Sequence, residues 1–271
     1  MTNWVLTKAS RMSDYRNVSP WYDGYQVGSA NVKTAWRQVS SEIIEGGLLS
    51  VVCFGDTAGE SLFDVAIGGS GSEEIIINNI HRSHTTNVSR RRPVLFSTPL
   101  YIPKGERIAI RSQCKTASAW QDISVQIDGG GNYCTKKGLS KCVTYGANTG
   151  DSGGTSYDPG ASGYTFGSWT QIVASIPYRY RGIIIGIGNR GNTGRANYLW
   201  RCQIGLSSSP GDAVIAEFSF VEHMDHDVIL PSNSYLINCD IPLGEEIHFR
   251  AMCSGTDGTD RLFDYLLYCF A

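Results

Sequence analysis

The 271-residue sequence carries little charge and no long apolar run. Asp, Glu, Lys and Arg make up 18% of it and the formal net charge is -2, which lacks the basic excess of a general nucleic-acid binder. No apolar run approaches the roughly 18 residues that cross a bilayer as a helix, so no membrane span is expected. Met1-Thr2-Asn3-Trp4 opens without the charged region, apolar core and small-residue cleavage site of a secretory signal, and synthesis in a cytoplasm is expected. No stretch keeps apolar residues at helical spacing over three turns, so little helix is expected. The eight cysteines include no CxxC pair, which speaks against structural zinc. Without a signal a disulfide framework is not expected either. Cys53, Cys114, Cys202, Cys253 and Cys269 read as small buried hydrophobes, and only Cys134 and Cys142 are spaced to close a short loop.

What the chain does have is repetition. Gly46-Gly47-Leu48-Leu49-Ser50-Val51-Val52 returns as Arg181-Gly182-Ile183-Ile184-Ile185-Gly186-Ile187, and Ala35-Trp36-Arg37-Gln38-Val39 returns as Ser168-Trp169-Thr170-Gln171-Ile172. Ile102-Pro103-Lys104-Gly105-Glu106-Arg107-Ile108 returns as Ile241-Pro242-Leu243-Gly244-Glu245-Glu246-Ile247. The offset grows from 133 at Trp36 to 139 at Cys114, as two copies with slightly different loops require. Short apolar runs of five to seven residues, several alternating with period two, are separated by Gly, Pro, Asn and Asp clusters. This pattern predicts an all-β chain: two tandem antiparallel β-sandwiches, jelly-roll-like, arising from an internal duplication. The expected boundaries are an irregular N-terminal arm over 1-29, a first sandwich over 30-128, a glycine-rich spacer over 129-162 and a second sandwich over 163-271. In the repeated turn, proline ends a strand and glycine supplies a positive φ.

Residues that carry chemistry are few, and most have a bland reading. Gly150-Asp151-Ser152-Gly153-Gly154 resembles the nucleophile motif of trypsin-like serine proteases, but nucleophilic serine needs a histidine base and an acid. No first-copy histidine has the context that family requires, so coincidence is the better account. His81-x-x-His84 and His223-x-x-His226 hold metal-binding side chains at a spacing that converges only on a helix, whereas these segments read as strand ends, so neither a metal nor a cofactor is expected. Arg90, Arg91 and Arg92 form the one basic cluster. Trp4, Tyr15, Trp21, Tyr22 and Tyr25 give the arm aromatic anchors for an interface. Trp36 and Trp169, repeat equivalents, read as core. Trp120, Tyr178, Tyr180 and Tyr198 are candidates for stacking on sugar rings.

The stretch Ala66-Ile67-Gly68-Gly69-Ser70-Gly71-Ser72-Glu73-Glu74-Ile75-Ile76-Ile77, followed by Pro99-Leu100-Tyr101-Ile102-Pro103-Lys104-Gly105-Glu106-Arg107-Ile108-Ala109-Ile110-Arg111-Ser112-Gln113, resembles virion-associated structural proteins of tailed bacteriophages. The likeness is weaker in the second copy, where Ser207 to Asp212 departs from the Gly-Ser-Glu turn. It implies a non-enzymatic capsid decoration or cement protein that stabilises the head by bridging shell subunits. The alternative is a tail or fibre adhesin that binds host glycan. The implied partners are the major capsid protein or other virion proteins and further copies of the chain, a trimer being common at local threefold positions; sequence-specific nucleic acid is not among them. The expected location is the virion, and the expected interface is the aromatic arm with Arg90, Arg91 and Arg92.

Overall fold

The computed structural model describes residues 7-11, 25-39, 42, 47-55, 59-83, 94-129, 139-189, 198-207, 213-223, 228-230, 233-256 and 263-271. Among them there is no helix, and the chain is all-β. The arm contributes β1 (Thr7–Arg11) and β2 (Tyr25–Gln26). The first copy follows with β3 (Arg37–Gln38), β4 (Gly47–Gly55), β5 (Ser61–Ile67), β6 (Glu74–Arg82), β7 (Val94–Ile102), β8 (Ile108–Cys114) and β9 (Trp120–Gly129). Next come β10 (Cys142–Tyr145) and β11 (Thr155–Tyr157). The second copy supplies β12 (Thr170–Val173), β13 (Tyr180–Asn189), β14 (Tyr198–Leu206), β15 (Val214–His223), β16 (Val228–Leu230), β17 (Ile237–Ile241), β18 (Ile247–Cys253) and β19 (Phe263–Phe270).

Alternation is visible where one face of a strand is covered. Along β7, Val94, Phe96, Leu100 and Ile102 are buried while Leu95 and Ser97 face outward, the period-two pattern of a half-buried strand. The repeated turn behaves as its sequence requires: Gly105 and Gly244 have φ of 89° and 90°, and Glu106 N and Glu245 N donate to Pro103 O and Pro242 O, each at 3.4 Å.

Pairing shows how the copies correspond. The first copy forms one sheet β9-β4-β7 and another β6-β5-β8-β3; the second forms β19-β13-β17 and β15-β14-β18-β12. These match strand for strand. The copies are not joined by a linker, however. The β6-β5-β8-β3 sheet of the first and the β19-β13-β17 sheet of the second are fused into one nine-stranded sheet, with β10 between them. β10 runs antiparallel to β19, from Cys142↔Phe270 to Tyr145↔Leu267, and parallel to β6 at Cys142↔Ile77. The expected spacer over 129-162 therefore contains the central seam of the molecule. It corresponds to the arm: β1 and β2 pair with β9, the last strand of the first copy, as β10 and β11 pair with β19, the last strand of the second. The repeating unit thus begins before residue 30, and the arm is strand-forming at 7-11 and 25-26.

The two outer sheets cover opposite faces of this shared sheet. All eight residues of β19 are buried, and they alternate between two cores. Leu266, Tyr268 and Phe270 join Leu49, Val51 and Phe96 of the first copy. Phe263, Tyr265, Leu267 and Cys269 join Trp200, Phe220 and Phe249 of the second. On β13, Ile184 faces the first core and Ile183, Ile185 and Ile187 the second. Both strands lie in the middle of three layers, so they are apolar on both faces and lose the period-two signal. Direct pairing places Leu49 opposite Ile127 and Ile183 opposite Cys269, and Leu49 and Ile183 each face their own copy's core. The alignment of Leu49 with Ile184 read from sequence is one residue out, a slip that exchanges faces.

Candidate functional site

At the seam, the turn that resembles a protease motif is structural. Ser152 is buried at φ 64°. Its Oγ donates to Asn31 Oδ1 at 2.7 Å and accepts from Gln113 Nε2 at 3.0 Å. Neither partner is a base, so nothing there activates a nucleophile. Gly153 explains the glycines. A Cβ at that position would lie 2.8 Å from Asp264 Oδ2 and 2.9 Å from Glu60 Oε2, so only glycine lets the turn approach these two buried carboxyl groups. Gly154 N donates to Asp264 Oδ2 at 3.2 Å. His81 Nε2 lies 3.5 Å from Glu60 Oε1, and Lys115 Nζ 3.7 Å from Glu60 Oε2. Burial pushes the Glu60 carboxyl up, but the neighbouring His81 ring, the Asp264 carboxyl and the nearby Lys115 charge outweigh it and hold the group below its ordinary value.

His81 is thus part of a buried cluster that links β6 of the first copy to β19 of the second. Its backbone N donates to Tyr268 Oη at 2.8 Å. Its ring packs against Gly188 of β13, where a Cβ would fall 2.0 Å from Cε1. His84 and His226 lie outside the described residues, as does the side chain of His223. Among the described residues no group of three or more His, Cys, Asp or Glu is arranged to hold a metal ion. Cys142 is a buried free thiol in β10, and Cys134 lies outside the described residues.

Beside the seam, on the outward face of β5, β6 and β8, lies a cleft of about 510 Å³ lined largely by polar side chains. Asp64 of β5 anchors its floor and is itself only 2% exposed. Lys33 Nζ donates to Asp64 Oδ1 at 2.8 Å, Asn79 Oδ1 at 3.0 Å and Leu62 O at 3.3 Å. Arg111 Nε donates to Asp64 Oδ2 at 2.7 Å, and Asn79 N to Asp64 Oδ1 at 2.8 Å. Burial, partly offset by Asp64, holds the Lys33 ammonium below its ordinary value. The guanidinium of Arg111 sits 4.4 Å from the Trp36 ring. A β-bulge makes this geometry possible: Asn78 and Asn79 both oppose Asp64, between the pairs Phe63↔Ile80 and Val65↔Ile77, and Asn79 takes φ 57°, a conformation Asn tolerates.

The second copy repeats the scaffold without the cleft chemistry. Arg250, cross-strand from Gln203 as Arg111 is from Asp64, lies 4.3 Å from Trp169 and 4.7 Å from Phe166. Phe166 stands where the first copy has Lys33, and Gln203 stands for Asp64, accepting from Arg250 Nε at 2.9 Å. Trp36 and Trp169 are therefore half-buried stacking partners of arginines, not core residues; cation–π contact holds them on the outer face.

The other expected site residues are dispersed. Tyr180 and Tyr198 are buried in the second core, with Tyr180 Oη 2.7 Å from Tyr145 Oη, and neither presents a face to a sugar. Trp120 and Tyr178 are partly exposed, on β9 and in the loop before β13, with no contact between them. Tyr25 lies in β2, its backbone opposite Gln121. Trp4, Tyr15, Trp21, Tyr22, Arg90, Arg91 and Arg92 lie outside the described residues. Lys33, Asp64, Asn78, Asn79 and Arg111 went unnoticed in the sequence because they come from four separate segments; only the Asn78-Asn79 pair inside an apolar strand gave a local signal.

No family model matches the chain and no curated protein matches it. Among solved structures, the tandem CBM22-1–CBM22-2 domain of Paenibacillus barcinonensis Xyn10C is 9% identical over 99% of this chain and 93% of that one, at a TM-score of 0.29. PBSX exported protein XepA is 9% identical over 100% of this chain and 98% of that one, at 0.24. A structure of infectious bursal disease virus Gx strain is 12% identical over 87% of this chain and 57% of that one, at 0.25. At these scores the likenesses carry no argument about this chain.

Proposed function

We propose that the protein is a non-enzymatic structural component of a tailed-phage particle, decorating or cementing the head. The observation that carries this is the fusion of two sandwiches through one nine-stranded sheet. A bridge between shell subunits must hold two contact surfaces at a fixed separation, and a shared sheet with cores on both faces does so without a hinge. Fixed geometry also removes the ordering cost that a flexible tether would add on binding. The resemblance of Ala66 to Gln113 to phage virion proteins supports the particle assignment. The buried Ser152 and His81, each held in contacts that brace the seam, fit a role in adhesion more than in reaction. In this reading the partners are the major capsid protein and further copies of the chain.

Labelling of intact particles with an antibody to this protein, read by electron microscopy, tests the proposal. Label distributed over the head is the expected result. Label confined to the tail or fibres, or none on the particle, would defeat it.

A further inference from the structure

We infer that the cleft over Asp64 binds an anionic sugar, a ring of hexuronate size bearing a carboxylate. The assignment comes from counting which donors and acceptors the protein itself engages. Three asparagines line the cleft, and each has its carbonyl oxygen fixed by an internal donor. Asn31 Oδ1 accepts from Ser152 Oγ, Asn78 Oδ1 from Thr144 N at 3.1 Å, and Asn79 Oδ1 from Lys33 Nζ. These partners settle the amide orientations, and among the described residues no acceptor engages the NH₂ of any of the three. Arg111 engages only Nε within the protein, at Asp64. Stacking on Trp36 covers a face of its guanidinium and leaves the in-plane Nη donors at the edge.

Asp64, the one carboxylate among the described residues that line the cleft, has both oxygens engaged by Lys33, Asn79 N and Arg111. Apart from Gln113 Oε1 and the Thr149 hydroxyl, which can accept, the capacity that remains among the lining polar side chains is mainly donating, and two cations stand over one anion. Such a site recognises an acceptor-rich anion, and an arginine edge is suited to a carboxylate. A volume of about 510 Å³ falls within the range of organic-ligand sites and exceeds what a lone oxyanion fills. Val32 and Ile75 in the lining add apolar surface for a ring. The second copy acts as an internal contrast, since Phe166 in place of Lys33 lies against Arg250. This site is independent of the particle assignment and stands or falls without it.

Calorimetric titration of the full-length protein at low salt with sodium glucuronate, glucose and inorganic phosphate tests it. Glucuronate is expected to bind and glucose not to bind. Asn78→Asp and Asn31→Asp keep the acceptor that Thr144 N or Ser152 Oγ needs but replace the free NH₂ by an anionic oxygen. Each should weaken glucuronate about tenfold or more, while melting without ligand stays near wild type. No glucuronate binding, equal binding of glucose, or unchanged affinity in both variants would overturn the inference. Phosphate binding as tight as glucuronate would overturn the sugar-sized occupant.

Discussion

Phe270 lies near the C-terminus of the second copy, yet its ring belongs to the core of the first. It is fully buried, 6.4 Å from the Phe96 ring, and its neighbour on the same face, Tyr268, lies 4.5 Å from Phe96. Phe270→Ala removes roughly 150-200 Å² of buried aromatic surface, about 4-5 kcal/mol at about 25 cal/mol per Å², in keeping with about 3-5 kcal/mol for such truncations. With roughly 2 °C lost per kcal/mol in a chain of this size, the melting temperature should fall by roughly 6-10 °C. The decisive readout is where protection is lost. Differential scanning calorimetry should show one transition for both proteins, and hydrogen exchange should accelerate in β4 and β7 of the first copy as much as in β19. Two calorimetric transitions, with only the second copy's moving and β4 and β7 exchange unchanged, would refute the shared core.

Three further outcomes follow from the seam. Gly188→Ala drives a methyl into the His81 ring, 2.0 Å from Cε1, and should destabilise by about 1-3 kcal/mol as an overpacked site; chemical denaturation with an unchanged midpoint would contradict this. Ser152→Ala removes the hydroxyl that donates to Asn31 Oδ1 and accepts from Gln113 Nε2 and should cost about 1-3 kcal/mol, seen as a lower urea midpoint. Because the folded-state pKa of Glu60 is depressed, its contribution is present above the ordinary carboxylate pKa and is lost as pH falls through the lowered value. Stability measured from neutral to acid pH should therefore decline in that window, and Glu60→Gln should flatten part of the decline; an identical acid profile for the variant would count against it.

The fold class was legible because most strands have one wet face, so alternation and turn glycines such as Gly105 and Gly244 report on them directly. The junction was not. Cys142 to Tyr145 is short, flanked by glycine-rich sequence, and becomes a strand only because β6 and β19 offer it edges on both sides. Ile183 to Ile187 hides its register for a related reason: residues pointing to either face are apolar or are glycines that make room for His81 and Tyr268. The cleft eluded a linear reading since its chemistry depends on a bulge at Asn78-Asn79 that exists only once β5 is in place. Of the aromatics chosen as sugar platforms, Tyr180 and Tyr198 are buried while Trp120 and Tyr178 are partly exposed; tyrosines serve as core residues as readily as surface ones.

The seam joins unlike elements, the β6 edge of one copy to the β10-β19 edge of the other, so no two-fold axis relates the halves. The molecule consequently has a direction. Its two ends present different edges: β17 closes the nine-stranded sheet at one and β3 at the other. Any neighbour that grips one end meets a different surface at the opposite one, so two copies can meet like end to like end or head to tail, but the two contacts are never equivalent.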